Sequence, residues 1–159
     1  MASYVFITDW RLQAPLELVF AAIRDSLEWP LWWPGVEAVV ETATGDAAGI
    51  GAIRHYCWKS RLPYRIRFDA RVLRQEPNHM LQGEARGEVD GIGTWTFSEH
   101  DGITSVHYEW RVTTTKPWMN WLAPLLRRAF RWNHDWLMEQ GGHALARRLG
   151  ARLLDIRHG

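Results

Sequence analysis

KPWMNWLAPLLRRAFRWNHDWLMEQGGHALARRLGARLLDIRHG, residues 116–159, is the stretch on which the fold turns. From Trp118 onward it reads as one long C-terminal helix. Wound at about 100° per residue, Leu122, Leu126, Ala129, Phe130, Trp136, Leu137 and Ala144 share one broad stripe. Arg127, Arg128, Arg131, Asp135 and Glu139 fall opposite. Two uncharged amides, Asn133 and Gln140, interrupt the stripe two turns apart. A dry core would be better served by leucine at both positions, because a buried amide needs partners. Either each amide bonds a nearby backbone group, or this face looks into a cavity holding water or the polar atoms of a ligand. Pro124 kinks the helix or marks its true first turn. Gly141-Gly142 gives up about 2 kcal/mol of helix propensity against alanine, which predicts a close approach to another element or local mobility there.

Upstream of this helix the apolar period drops from 3.6 to two. In residues 103–114, Val106, Tyr108, Trp110 and Val112 alternate with His107, Glu109, Arg111 and Thr113. His100-Asp101-Gly102 reads as a hairpin turn before it, and residues 92–99 place Trp95 and Phe97 in phase. Asp90-Gly91 reads as a further hairpin turn, preceded by a weaker strand over 79–87 that carries Gly83 and Gly87. Glu76-Pro77-Asn78 closes off residues 63–74, the cleanest alternation in the chain, with Tyr64, Ile66, Phe68, Ala70 and Val72 on one face. Residues 36–43 and 50–59 form two more strands around a turn carrying Gly45, Asp46 and Gly49. Before them, WPLWWPGV at 29–36 is a proline-bounded corner wedged against the core, or else the rim of an opening. Residues 15–25 repeat apolar side chains at helical spacing after Pro15, and residues 3–11 read as a first strand.

Tight turns demand antiparallel neighbours, and strands segregated from helices indicate an α+β domain, here a single one over residues 1–159. The covered face of the sheet lists Tyr64, Phe68, Trp95, Phe97, Tyr108 and Trp110, and only the final helix is long enough to cover it. The facing of 50–59 depends on its loop. If Ser60–Leu62 is the loop, Trp58 opposes Tyr64 and Tyr56 opposes Ile66, and Arg54, Tyr56 and Trp58 point inward. A two-residue loop would bring His55 and Cys57 inward instead. The first leaves Lys59 in water and is preferred.

Whole-chain numbers exclude several classes. A net charge of +1 gives no support for nucleic-acid binding. No apolar run reaches membrane-spanning length, MASYVFITDW lacks the pattern of a signal peptide, and the lone cysteine, Cys57, suits a reducing cytosol. Tryptophan is the outlier: 11 in 159 residues is far above ordinary usage. Such density builds an aromatic-walled pocket, an adhesive interface or a heavy core.

With WPxWWPxV at Trp29–Val36, LPY at Leu62–Tyr64, GxGxW at Gly91–Trp95 and WNH at Trp132–His134, the chain resembles the START/Bet v1-like (SRPBCC) superfamily. Within it the likeness is to bacterial proteins of the polyketide cyclase/dehydrase and lipid-transport-like type. That resemblance implies a helix-grip fold: a seven-stranded curved antiparallel sheet around the C-terminal helix, with two short N-terminal helices at one end. It also implies a hydrophobic ligand, lipid-like or aromatic, held between sheet and helix. It carries over no catalytic residue, because the superfamily shares no common catalytic set.

The residues themselves offer no metal or cofactor signature. Seven histidines form neither HxH nor HxxxH, and His55 and His107 read as exposed strand residues. GxGxW lies between strands with no helix start to hold a phosphate, and no serine sits in a nucleophile elbow. Acid–base chemistry is the open alternative. A shaped pocket with a donor for an enolate would suffice for cyclisation or dehydration, and Tyr64 and Tyr108 are the candidate donors. The primary expectation is a binding protein whose ligand contacts are Tyr56, Trp58, Tyr64, Phe68, Trp95, Phe97, Tyr108, Trp110, Leu126, Asn133, Trp136, Leu137 and Gln140. A third reading is an interaction module whose cavity tryptophan has filled. Aromatics beside arginines near Trp118 and Trp121 add a transient contact with a membrane interface as a lesser expectation. Magnitude constrains the cavity: a dry hole of ~300 Å³ would cost about 7 kcal/mol, close to a domain's whole stability, so any such space holds water or a guest.

Overall fold

The computed structural model of the chain describes residues 3–159, so Met1 and Ala2, the start of the expected domain, lie outside the described residues. Strand β1 (Ser3–Gln13) opens the fold, followed by helix α1 (Leu16–Arg24), a 3-10 turn at Ser26–Glu28 and the single turn α2 (Trp29–Trp32). Six strands come next: β2 (Val36–Ala43), β3 (Ile53–Lys59), β4 (Arg65–Glu76), β5 (Met80–Gly87), β6 (Val89–His100) and β7 (Ile103–Thr114). The chain ends with α3 (Pro117–Trp121), α4 (Ala123–Leu149) and a last strand, β8 (Arg152–His158). All neighbours are antiparallel, in the order β2-β3-β4-β5-β6-β7-β1-β8. This is the α+β helix-grip arrangement, with the long helix on one face of the sheet.

The sheet has eight strands rather than the expected seven, because the final helix stops ten residues early. Gly150 takes the left-handed conformation, φ 62°, and the two C-terminal bonds of a Schellman motif close the helix: Gly150 N donates to Arg147 O at 3.2 Å and Ala151 N to Ala146 O at 2.8 Å. Residues 152–158 then pair with β1, setting Ile156 opposite Trp10. Pro124 lies in the first turn of α4, and α3 before it is a separate short helix broken at Leu122.

Two turns also differ from expectation. The β5–β6 hairpin turns at Gly87 and Glu88, and Asp90-Gly91 lies inside β6, where Gly91 pairs with Val112. A β-carbon on Gly91 would stand 2.8 Å from Val112 Cα and closer still to the Arg111 carbonyl, so glycine is needed there for strand approach and not for a turn. Between β3 and β4 the loop spans residues 60–64, so Trp58 pairs with Ile66 and Tyr56 with Phe68. Each pairing is shifted by two residues from the one expected. A shift of two preserves the face, so Tyr56 and Trp58 point inward as the preferred loop required.

The core is densest where α4 crosses β1. Alternation along β1 buries Tyr4, Phe6, Thr8, Trp10 and Leu12. Trp10 and Trp33 reach the bare backbone at Gly142 and Gly141, where their indole N–H groups donate to Met138 O at 3.1 Å and Leu137 O at 2.9 Å. Both glycines therefore serve a close approach. α1 adds Val19, Phe20 and Ile23 to this end of the core.

Candidate functional site

Space remains at the other end of α4. A cavity of about 130 Å³ lies between sheet and helix. Its floor is Phe68, Trp95, Tyr108 and Trp110, and its roof is Phe130, Asn133, His134, Leu137 and Met138 on successive turns of α4. Tyr4 and Phe6 on β1 form one side, Trp58 and Ile66 the other, and Met119 of α3 closes the end. A second space of about 120 Å³ lies toward the 3-10 turn. Trp29, Trp58, Phe68, Trp95, Tyr108 and Trp110 border both.

The two spaces differ in chemistry. Around the first the walls are almost wholly apolar and aromatic. At the second, the Arg54 guanidinium donates through Nη1 to Ser26 Oγ at 2.8 Å and to the Arg24 carbonyl at 3.1 Å, and Tyr56 OH shares a hydrogen bond with Ser26 Oγ at 2.8 Å. Glu41 accepts from Arg54 Nε at 3.3 Å. Burial raises the Tyr56 phenol above its ordinary value against the pull of Ser26 and Arg54. Both cations and acceptors in this cluster are satisfied internally.

Three polar atoms in the walls of the first space are not. Tyr4 OH, Trp58 Nε1 and His134 Nδ1 are buried without a hydrogen-bond partner among the described residues. Each such atom costs about 1–3 kcal/mol unless something meets it. The His134 ring stacks on Phe6 at 4.5 Å, and Asp135 Oδ1 lies 3.9 Å from its Nδ1, beyond bonding distance. Burial pushes the His134 pKa below its ordinary value, so the ring is neutral near pH 7. Burial also drives the Tyr108 phenol far upward, which keeps it protonated, and raises Tyr4.

Of the expected contacts, Trp58, Phe68, Trp95, Tyr108, Trp110, Asn133 and Leu137 line the first space, and Tyr56 lines the second. Asn133 is buried and accepts a short hydrogen bond from Ser60 through Oδ1. Five others lie elsewhere. Tyr64 sits in the β3–β4 loop, where its hydroxyl donates to Glu88 at 3.1 Å and its ring meets Trp118 edge-on. Phe97 is buried against Phe20, behind the cavity floor. Leu126, Trp136 and Gln140 are half-buried on the flank of α4, with the Arg61 guanidinium over the Trp136 ring at 5.6 Å. The reason for these last three is a rotation of the helix. Its inward seam runs Phe130, Asn133/His134, Leu137/Met138, Gly141/Gly142, Leu145, about one residue around from a stripe drawn through the large apolar side chains alone.

Sequence reasoning missed His134, Tyr4, Phe6, Met119 and Met138. The signal for His134 was its place four residues after Phe130 and seven before Gly141, once the glycines are counted as inward. His55 and His107 face outward, paired across strands with Asp69 at 2.8 Å and Asp9 at 2.7 Å. Among the described residues no three metal-ligating side chains cluster, and no helix is long and apolar enough to cross a membrane.

Residues 8–150 match the family model described as polyketide cyclase/dehydrase and lipid transport. No curated protein matches the chain. Among solved structures it is similar to the Zhui aromatase/cyclase from a Streptomyces species, with a TM-score of 0.77 at 14% identity over 94% of each chain. A START superfamily protein from Mycobacterium smegmatis superposes with a TM-score of 0.74 at 11% identity, covering 92% of this chain and 98% of that one. A protein from Thermus thermophilus gives 0.74 at 16% identity, over 91% of this chain and 99% of that one. At these identities the likeness is one of fold.

Proposed function

We propose that this chain, which belongs to the polyketide cyclase/dehydrase and lipid transport family, holds a small, mostly hydrophobic molecule between its sheet and α4. The observation that carries the reading is the cavity of about 130 Å³ under Phe130, Asn133 and His134, walled by aromatic side chains. Its guest is lipid-like or aromatic, and each methylene it buries contributes about 0.8 kcal/mol. Trp58 Nε1 can only donate, so a guest reaching it presents an acceptor oxygen. The chain acts as a single domain, and the buried thiol of Cys57 fits a reducing, cytosolic setting.

Binding is preferred to turnover because the cavity walls are almost wholly apolar and aromatic, which leaves Tyr108 as the one candidate donor for a cyclase-type alternative. Tyr64 is not in the cavity wall, whereas Tyr108 is, and burial keeps its phenol protonated. Tyr108 remains able to donate a hydrogen bond. Against the third reading, an interaction module whose cavity is filled with tryptophan, stands the space that Trp29, Trp33, Trp58, Trp95 and Trp110 border without filling.

Native mass spectrometry of the purified protein tests the proposal. A co-purifying apolar molecule is expected, or, after delipidation, uptake of an environment-sensitive naphthalene sulfonate dye displaced by fatty acids or polycyclic aromatics. Ile66→Trp, which enlarges a wall residue of the cavity, should reduce dye uptake by at least about tenfold while leaving the protein folded. A protein that carries nothing, takes up no dye and ignores the substitution would sink the reading.

A further inference from the structure

The outward side of α3 and the first half of α4 carries large apolar side chains that the fold leaves uncovered. Trp121 is 82% exposed, Leu125 77%, Trp132 49% and Trp118 43%. On α4, Leu125, Arg128 and Trp132 are spaced three and four apart and share one stripe, and Trp121 ends α3 just before it. Contiguous exposed apolar area of this kind marks an interaction site, because water-facing helix surface is ordinarily polar. Within the chain, Arg61 lies over the Trp132 ring at 5.3 Å and Tyr64 meets Trp118 edge-on, while Trp121 and Leu125 stay the most open.

The charge pattern says what covers this surface. From Thr115 to His134 the chain contains Lys116, Arg127, Arg128 and Arg131 and no Asp or Glu, and of these four Lys116 is paired, with Glu88 at 3.1 Å. Arg127 and Arg131 are held with their guanidinium groups over Tyr4 at 5.1 Å and Phe6 at 5.4 Å, donating to the Ser3, Val5 and Gly159 carbonyls. These contacts fix the two guanidinium groups in place. Arg128 is exposed and has no carboxylate partner among the described residues. A second copy of the chain would set Arg127, Arg128 and Arg131 against their own counterparts across a symmetric interface. An anionic bilayer accommodates both parts of the surface. Tryptophan rings settle at head-group level, leucine enters the acyl boundary, and guanidinium groups pair with phosphates.

We infer that the shoulder formed by α3 and the first half of α4 docks on an anionic lipid bilayer. The surface adjoins the cavity: Met119 of α3 closes the end of the cavity, and Trp118 packs on Tyr64 in the β3–β4 loop beside it. A hydrophobic guest leaving a membrane at this place would meet the cavity end directly. Docking does not depend on what the cavity holds, so it can fail or succeed separately from the ligand reading.

Sedimentation with large vesicles tests it. The wild-type protein is expected to pellet with vesicles of equal parts phosphatidylcholine and phosphatidylglycerol and to stay in solution with phosphatidylcholine alone. Added salt should release it, since the charge contribution is screened. Trp121→Ala combined with Leu125→Ala, both on exposed sites, should weaken binding at least about tenfold, and Arg128→Gln alone about fivefold. Far-UV circular dichroism would establish that the variants are folded. Absence of pelleting with the mixed vesicles, equal binding to neutral ones, or binding indifferent to Trp121 and Leu125 would each overturn the inference. A self-associating protein turned monomeric by the same substitutions, with no vesicle binding, would assign the surface to a second copy instead.

Discussion

At Gly141 and Gly142 the inward face of α4 has no side chains, and the rings of Trp33 and Trp10 occupy the room this leaves. About two turns earlier, at Phe130, Asn133 and His134, the same face carries full side chains, yet a cavity remains beneath them. One helix thus meets the same sheet in two ways. Where the backbone is bare, indoles approach it closely enough to hydrogen-bond its carbonyls, and Trp33 there forms the near wall of the cavity. Where it is clothed, aromatic rings on both sides hold the surfaces apart. The closed end anchors the helix, which frees the other end to tolerate space that would otherwise cost several kcal/mol.

If that division is right, the largest effect should come from Trp33→Ala. Removing a buried indole that touches Trp10, Trp29, Trp58 and Trp95 is expected to lower unfolding free energy by about 3–5 kcal/mol, read by urea denaturation. A loss below about 1 kcal/mol would mean the closed end is not the anchor.

The glycine pair sharpens the comparison. A β-carbon on Gly141 would stand 2.7 Å from the Trp33 indole nitrogen and nearer still to its ring carbons, whereas one on Gly142 would be 3.0 Å from Trp10 Nε1. Gly141→Ala is therefore expected to destabilise by about 1–3 kcal/mol despite better helix propensity. Gly142→Ala should fall within about 1 kcal/mol of wild type, with the propensity gain offsetting a mild crowding. Equal effects at the two positions would contradict the difference in packing.

At the open end the expected effect is smaller and depends on pH. His134 binds its proton less readily in the folded state than in the unfolded chain, because burial disfavours the charged ring. Below the ordinary histidine value of about 6.5 the unfolded chain therefore holds more protons, and stability falls as pH drops toward the lowered folded value. His134→Asn should flatten this part of the profile when urea midpoints are measured between neutral and mildly acid pH. Unchanged slopes would mean that His134 is solvated and does not belong to the cavity roof.

Much of this was legible before any coordinates. The alternation of β4 and β7 follows from a period of two, and the place of Asn133 on the inward helix face from a period of 3.6. The facing of Tyr56 and Trp58 hangs instead on the length of the β3–β4 loop, which periodicity leaves open. What escaped has physical causes. Gly150 followed by a short apolar stretch was read through as helix, because a left-handed C-cap leaves no mark on hydrophobic periodicity. Asp90-Gly91 has the composition of a turn, yet Gly91 is there for the approach of Val112 and Arg111. Large apolar side chains alone turn Gln140 and Trp136 toward the cavity, whereas Gly141 and Gly142, approached by two indoles, mark the true inward face.

By itself the sequence determined the α+β class, the antiparallel sheet under a long C-terminal helix and most of the aromatic floor. Those depend on local periodicity, which each segment carries alone. Tertiary structure alone decided where space would remain. Whether an aromatic side chain fills a gap or walls one depends on the rotation of α4 about its axis and on which rings reach its bare backbone. Both are set by contacts between segments more than a hundred residues apart, such as Trp10 with Met138 and Trp33 with Leu137.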